Sequence, residues 1–203
     1  MEYFILAVLW ITFCVLHSVL ISTSFTKILK QKTSDAYRFH RLFYNIFSIA
    51  TLIPIALYTL SIKQQPFFVW DCYLIPLKYI LQACGILFFI MGAQRYSFSQ
   101  FAGIRQIRKG TYHNLINKTG NLSSRGILGA VRHPFYAGLF PLIWARDLDI
   151  SFFIVNIILS VYLIIGTFLE ERKLLLEFGD AYRDYQQKVS MLFPFKFIKA
   201  KLL

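Results

Sequence analysis

Apolar residues in this chain fall into blocks separated by polar connections. Tyr3 to Phe25, Leu42 to Ile62 and Tyr73 to Gln94 are three such blocks, with Lys78 the one formal charge inside them. Each matches the roughly 20 apolar residues that a helix needs to cross a bilayer. Ile150 to Leu169 is a fourth full-length block. Phe135 to Ala145 is shorter and as a helix would extend only about 16 Å, roughly half the hydrocarbon thickness. It either dips in and returns, or crosses with help from Gly126 to Val131. After Glu171 the residues Leu174, Leu175, Phe178, Tyr182 and Tyr185 recur at helical spacing, with Gly179 as an interruption. The pattern predicts an all-α integral membrane protein of about five transmembrane helices and a cytoplasmic, amphipathic C-terminal segment. Residues 1–203 then form a single membrane domain, with a three-helix scaffold over 1–94 and a site-bearing half over 95–203.

Composition agrees: 57% of residues are hydrophobic and only 16% charged, too little charge for a soluble domain of this size. The net charge of +12 invites a nucleic-acid reading, which the distribution opposes. Nineteen of the 22 Lys and Arg residues lie in 26–41, 95–132 and the tail after Leu169, which are alternate connections. With the N-terminus outside and five crossings, all three face the cytoplasm. The basicity is topological, and no nucleic-acid partner is expected. The first apolar block lacks a basic leader and a small-residue cleavage site, so it is expected to remain as a helix. Cys14, Cys72 and Cys84 show no metal-ligand spacing and read as buried spectator thiols, with no metal site.

Polar residues within or beside the spans carry the candidate chemistry. His17 and Ser18 lie in the inner half of the first span. Such residues either serve function or hydrogen-bond between helices. Tyr44 and Asn45, opening the second span, suit the headgroup layer, and Pro54 is expected to kink that helix. Gly85 and Gly92 permit close helix contact in the third. Phe98, Phe101, Ile104 and Ile107, interleaved with Arg105, Arg108 and Lys109, read as a short amphipathic helix on the inner surface or as a lid. The Lys-rich C-terminus reads as a phospholipid contact.

The densest cluster is Arg132-His133-Pro134-Phe135-Tyr136-Ala137-Gly138. Pro134 is suited to the first turn of a helix. The free amides and positive dipole end beside Arg132 and His133 attract a carboxylate or phosphate. The last full span ends in Glu170-Glu171-Arg172, where an acidic pair needs a partner. The two clusters are either a flanking cation with its salt-bridge partner, or two halves of one site.

Arg132-His133-Pro134-x-Tyr136-x-Gly138, followed by Glu170-Glu171-x-x-Leu174, Phe178-Gly179, Tyr182-x-x-Tyr185, Val189 and Pro194, resembles the isoprenylcysteine carboxyl methyltransferase/phospholipid methyltransferase superfamily. His17-Ser18, Arg41-Leu42-Phe43-Tyr44-Asn45, and Tyr96 with Phe101-x-Gly103 resemble its NnrU-like branch, which includes methanethiol S-methyltransferases. The resemblance implies a membrane-embedded methyltransferase that uses S-adenosylmethionine. Its methyl acceptor would be a small thiol or a lipid-like apolar molecule entering from the bilayer. Arg132, His133 and Glu171 would be catalytic, and His133, Pro134, Tyr136, Gly138, Glu170, Glu171 and Tyr182 would hold the cofactor, with Trp144 a further aromatic wall. If the acceptor arrives as a thiol, His133, or secondarily His17, would take its proton. Prenylcysteine carboxylate and phospholipid amine are alternative acceptors. Gly166, Thr167, Phe168 and Leu169 stand where the isoprenylcysteine enzymes carry an Arg and further acids. A second function class also stays open: a non-methyltransferase relative that binds haem through His17, His40 or His133.

Overall fold

The computed structural model describes residues 1–33, 36–62, 64–94, 99, 102–109 and 126–202. Their regular structure is helical. The helices are α1 (Glu2–Ile21), α2 (Thr23–Thr33), α3 (His40–Ser61), α4 (Ile75–Ala93), α5 (Ile104–Lys109), α6 (Pro134–Trp144), α7 (Ile150–Phe178), α8 (Asp180–Lys188) and α9 (Phe195–Leu202). Short 3-10 turns cover Ala36–Phe39 and Gly126–Gly129. No β-strand occurs among the described residues, and a single parallel bridge joins Val131 to Ser190.

Four helical stretches among the described residues are long and apolar enough to cross a bilayer: Glu2–Ile21, Ala36–Ser61, Ile75–Ala93 and Ile150–Phe178. Their outward faces stay apolar, with Phe4, Val8, Ile11 and Val15 exposed on α1 and Ile46, Ile49, Ile53 and Leu57 on α3. A helix apolar on both its packed and its open side has lipid, not water, as its solvent. The protein is an all-α integral membrane protein. The eleven-residue α6 is too short to join the four by itself.

Contacts gather the chain into two units, each discontinuous in sequence. The first comprises Met1–Phe67, Tyr96–Ile116 and Leu148–Leu159, and the second Phe68–Arg95, Asn117–Asp147 and Ser160–Leu203. In the first unit α1 packs along α3, and Leu6, Trp10, Ile62 and Val155 form its core. The Trp10 indole donates to the Thr59 hydroxyl at 3.0 Å, giving a buried polar group the partner it requires. The first apolar block does not run on to Phe25 as one helix. Ser22 is extended, and its hydroxyl accepts from the Phe25 amide at 3.2 Å, so a local cap ends α1 and starts α2. The basic connection that follows is thereby largely helical. Tyr44, near the start of α3, is buried, and its hydroxyl pairs with His17.

In the second unit α4 and α6 meet through glycines. A Cβ on Gly138 would lie 2.6 Å from the Gly85 carbonyl oxygen, and one on Gly85 would lie 2.8 Å from that of Gly138. The absent side chains let the two backbones touch. Lys78 pairs with Asp147 at 3.3 Å, and Trp70 donates its indole N–H to the Arg146 carbonyl at 2.9 Å. α7 runs past the acidic pair to Phe178. Gly179, at a φ of 54°, then breaks the helix, so the apolar pattern after Glu171 is shared between the end of α7 and α8. Of the three cysteines, all free, Cys14 is buried whereas Cys72 and Cys84 are exposed. Buried thiols were expected; the latter two instead lie on outward-facing surfaces. Phe98 and Phe101, and most of the long polar connection before Gly126, lie outside the described residues. α5 accounts for the Ile104–Lys109 part of the expected amphipathic helix.

Candidate active site

The site is built in the second unit from three pieces of chain. Ile127, Leu128 and Val131 pack on Phe88 and Met91, which fixes the approach to α6. Pro134 takes the first helical position of α6, where its missing N–H costs nothing, and His133 stands just before it at the N-cap position with its side chain bonded elsewhere. The tail returns beside this segment. The Arg132 amide donates to the Ser190 carbonyl at 2.9 Å and the His133 amide to that of Met191 at 3.1 Å. Two backbone bonds therefore hold the Arg-His pair before any side chain is counted.

Glu171 is the hub. Its Oε1 accepts from Arg132 Nε at 2.7 Å, His133 Nε2 at 2.7 Å and the Tyr182 hydroxyl at 2.7 Å. Its Oε2 accepts from Arg132 Nη2 at 2.8 Å and from the Gln186 side-chain amide. A carboxylate offers about four lone-pair sites, so protein donors engage both oxygens fully. Arg132 is held as tightly: its guanidinium forks onto Glu171, and Nη1 donates to the backbone carbonyls of Gln186 and Val189. The side chains of Arg132 and Glu171 are each only 8% exposed. At that depth an ion pair persists only when its remaining hydrogen bonds are met, as they are here.

Glu170 differs. Its side chain is 34% exposed, pairs with His133 Nδ1 at 3.5 Å and hydrogen-bonds the Tyr136 hydroxyl. His133 thus has a carboxylate on each ring nitrogen. Burial disfavours its charged form, but hydrogen bonds and charges from Glu170 and Glu171 outweigh that and raise its pKa above 6.5. Only the imidazolium can donate from both nitrogens. Tyr136 stacks on the same ring, with centroids 5.8 Å apart and planes 18° from parallel. Burial, then Glu171, pushes the Tyr182 phenol far above its ordinary range, so it remains a neutral donor.

The structure therefore brings together Arg132, His133, Pro134, Tyr136, Glu170, Glu171 and Tyr182. Gly138 lies a turn further along α6, buried against α4. Trp144 is at the far end of α6, where its indole donates to Ser160 at 3.0 Å, and it stays outside the cluster. Sequence reasoning missed Gln186, although it follows Tyr182 by one helical turn on the same face. It also missed the Tyr185 hydroxyl, which donates to the Leu128 carbonyl. The backbone pairing of 190–191 with 132–133 has no periodic signal at all.

In the first unit the His17 ring is also engaged on both sides, Nδ1 with the Ser48 hydroxyl at 3.1 Å and Nε2 with the Tyr44 hydroxyl at 2.6 Å. His40 Nε2 meets the Leu20 carbonyl at 3.0 Å.

The methanethiol S-methyltransferase of Pseudomonas deceptionensis is 40% identical over 65 residues, covering 32% of this chain and 25% of that protein. Methanethiol S-methyltransferase 1 of Bradyrhizobium diazoefficiens is 40% identical over 67 residues, or 32% and 24%. The methanethiol S-methyltransferase of Mycobacterium tuberculosis is 38% identical over 65 residues, or 32% and 27%. The chain thus spans about a quarter of the length of the curated relatives it matches. No solved structure matches it. The family model described as NnrU protein matches residues 5–170, four of every five residues, ending within the acidic pair. On that match the chain belongs to the NnrU family.

Proposed function

We propose that this protein is a membrane methyltransferase that uses S-adenosylmethionine and acts on a small thiol, with its site on the cytosolic side. The observation that carries the reading is the division of labour between the two glutamates. Glu171 is fully occupied and holds Arg132, His133, Tyr182 and Gln186 in place, while the half-buried Glu170 keeps capacity for a further partner. The names of the partial relatives supply the chemistry, and the basic inner connections supply the sidedness.

The residues present fit the cofactor by the kind of donor each offers. Glu170 would take the ammonium group. The first-turn amides of α6, beside the His133 imidazolium, would take the carboxylate. Tyr136 offers an aromatic face. When bound, S-adenosylmethionine would supply a methyl group activated on a sulfonium, so that a thiolate acceptor takes the methyl in line as the old carbon–sulfur bond breaks and S-adenosylhomocysteine leaves as a neutral thioether. The protein's part is alignment and exclusion of water. His133, charged and held by two carboxylates, contributes positive charge beside the acceptor rather than a vacant base. Arg132 and Glu171 act through the groups they position. An iron-ligating His17 or His133 would have to give up a hydrogen bond already made at the ligating nitrogen.

Purified protein in nanodiscs, incubated with methyl-labelled cofactor, should label methanethiol in preference to prenylcysteine or phosphatidylethanolamine. Glu170→Gln should weaken cofactor binding about ten- to a hundred-fold, the worth of a charged hydrogen bond, while the protein remains folded. Unchanged affinity, or no transfer to any of the three acceptors, would overturn the reading.

A further inference from the structure

The first unit holds a hollow of about 300 Å³ between α1 and α3, entirely separate in its residues from the glutamate network. Leu9, Phe13, Phe47 and Pro54 contribute apolar walls, and His17 and Ser48 contribute a polar end. The volume is at the lower end of small-molecule sites, and an apolar hollow with a few converging polar groups has the general form of one.

Two features define what would occupy it. Tyr44 and Ser48 hold the His17 ring between them. In one tautomer the imidazole donates to Ser48, and in the other Ser48 donates to the imidazole. In both, the Ser48 hydroxyl keeps a lone pair for a further donor. Pro54 has no N–H to offer the Ala50 carbonyl one turn earlier, and both residues line the same hollow. The lone pair common to both tautomers and the Ala50 carbonyl accept from a donor, and in the first tautomer a hydroxyl or thiol head can also accept the Ser48 proton. In lipid, apolar walls do not distinguish a ligand body from an acyl chain, so selection rests on the polar end. A charged head is excluded by the cost of placing it in a membrane span without a counter-charge.

We infer that this hollow binds a small uncharged molecule with an apolar body and a single hydroxyl or thiol head, the head donating to Ser48 beside His17. The site is distinct from the catalytic reading and does not depend on it.

The test uses the full chain in phosphatidylcholine nanodiscs without S-adenosylmethionine, labelled by a diazirine-bearing aliphatic alcohol. Labels should fall on the peptides containing Leu9 to His17 and Phe47 to Ile55. Hexanol and hexanethiol should displace the probe roughly three- to thirty-fold better than hexane at equal bilayer concentration, the range expected of one hydrogen bond in a membrane. Ser48→Ala should erase that preference while leaving the labelled peptides the same. Ala50→Leu, which fills the hollow and leaves His17 and Ser48 untouched, should remove the labelling. Equal displacement by hexane would mean that the hollow holds acyl chains only and would overturn the inference. Labelling elsewhere, or a preference that survives Ser48→Ala, would do the same.

Discussion

His17 and His133 are both enclosed by helices and both bonded at each ring nitrogen, but their partners belong to different electrostatic worlds. His17 sits inside a membrane span among hydroxyls. His133 stands at a helix start among two carboxylates and a guanidinium. Neutral partners make a histidine a fixed hydrogen-bonding strut, which lipid tolerates. Charged partners make it one member of a balanced ionic set, which needs every member. Enclosure alone does not set the charge state of a histidine; the charge of the enclosing groups does.

Removing the hub should have the largest effect. Glu171→Ala leaves Arg132 an enclosed cation with no carboxylate and His133 with Glu170 alone, and should cost about 3–5 kcal/mol of stability. Unfolding of the detergent-solubilised protein measures this, and a loss below about 1 kcal/mol would show the network to be peripheral.

A smaller effect should appear with pH. The folded-state pKa of His133 is raised, so its contribution to stability is complete below the unfolded value near 6.5 and is lost as pH climbs through the folded value. The melting temperature of the wild type should therefore fall across that upper window. His133→Gln should lack the decline, and an identical slope in both proteins would assign it to another group.

The smallest effect belongs to the neutral cluster. Tyr44→Phe should cost about 0.6 kcal/mol, the average for a hydrogen bond between membrane helices. A loss several times larger, in the same unfolding assay, would mean that the hydroxyl cluster matters as much as the ionic one.

Much of this architecture is legible in the chain because lipid imposes one demand over a long stretch. A block such as Ile150 to Leu169 can satisfy its backbone only as a helix. Boundaries set by single contacts are less legible: the division at Ser22 rests on one hydroxyl competing with helix propagation, and hydropathy does not register it. In the candidate site, the pairing of Arg132-His133 with Glu170-Glu171 could be anticipated from charge and from the family pattern. The unequal status of the two glutamates could not, because it depends on Tyr182 and Gln186 aiming at one carboxylate and not at its neighbour. His17 announced itself as polar within a span, yet its partners follow from the register of α1 on α3, which no local pattern encodes.

The grip of the tail on Arg132 also has a temporal side. Its guanidinium donates to the carbonyl of Val189, 57 residues downstream. At about 5–20 residues per second, the ribosome needs several seconds to deliver the acceptor after the donor has emerged. For that interval a guanidinium and an imidazole must wait in water at the membrane surface. The order of synthesis thus makes the ionic knot tie only after the spans before it have been made.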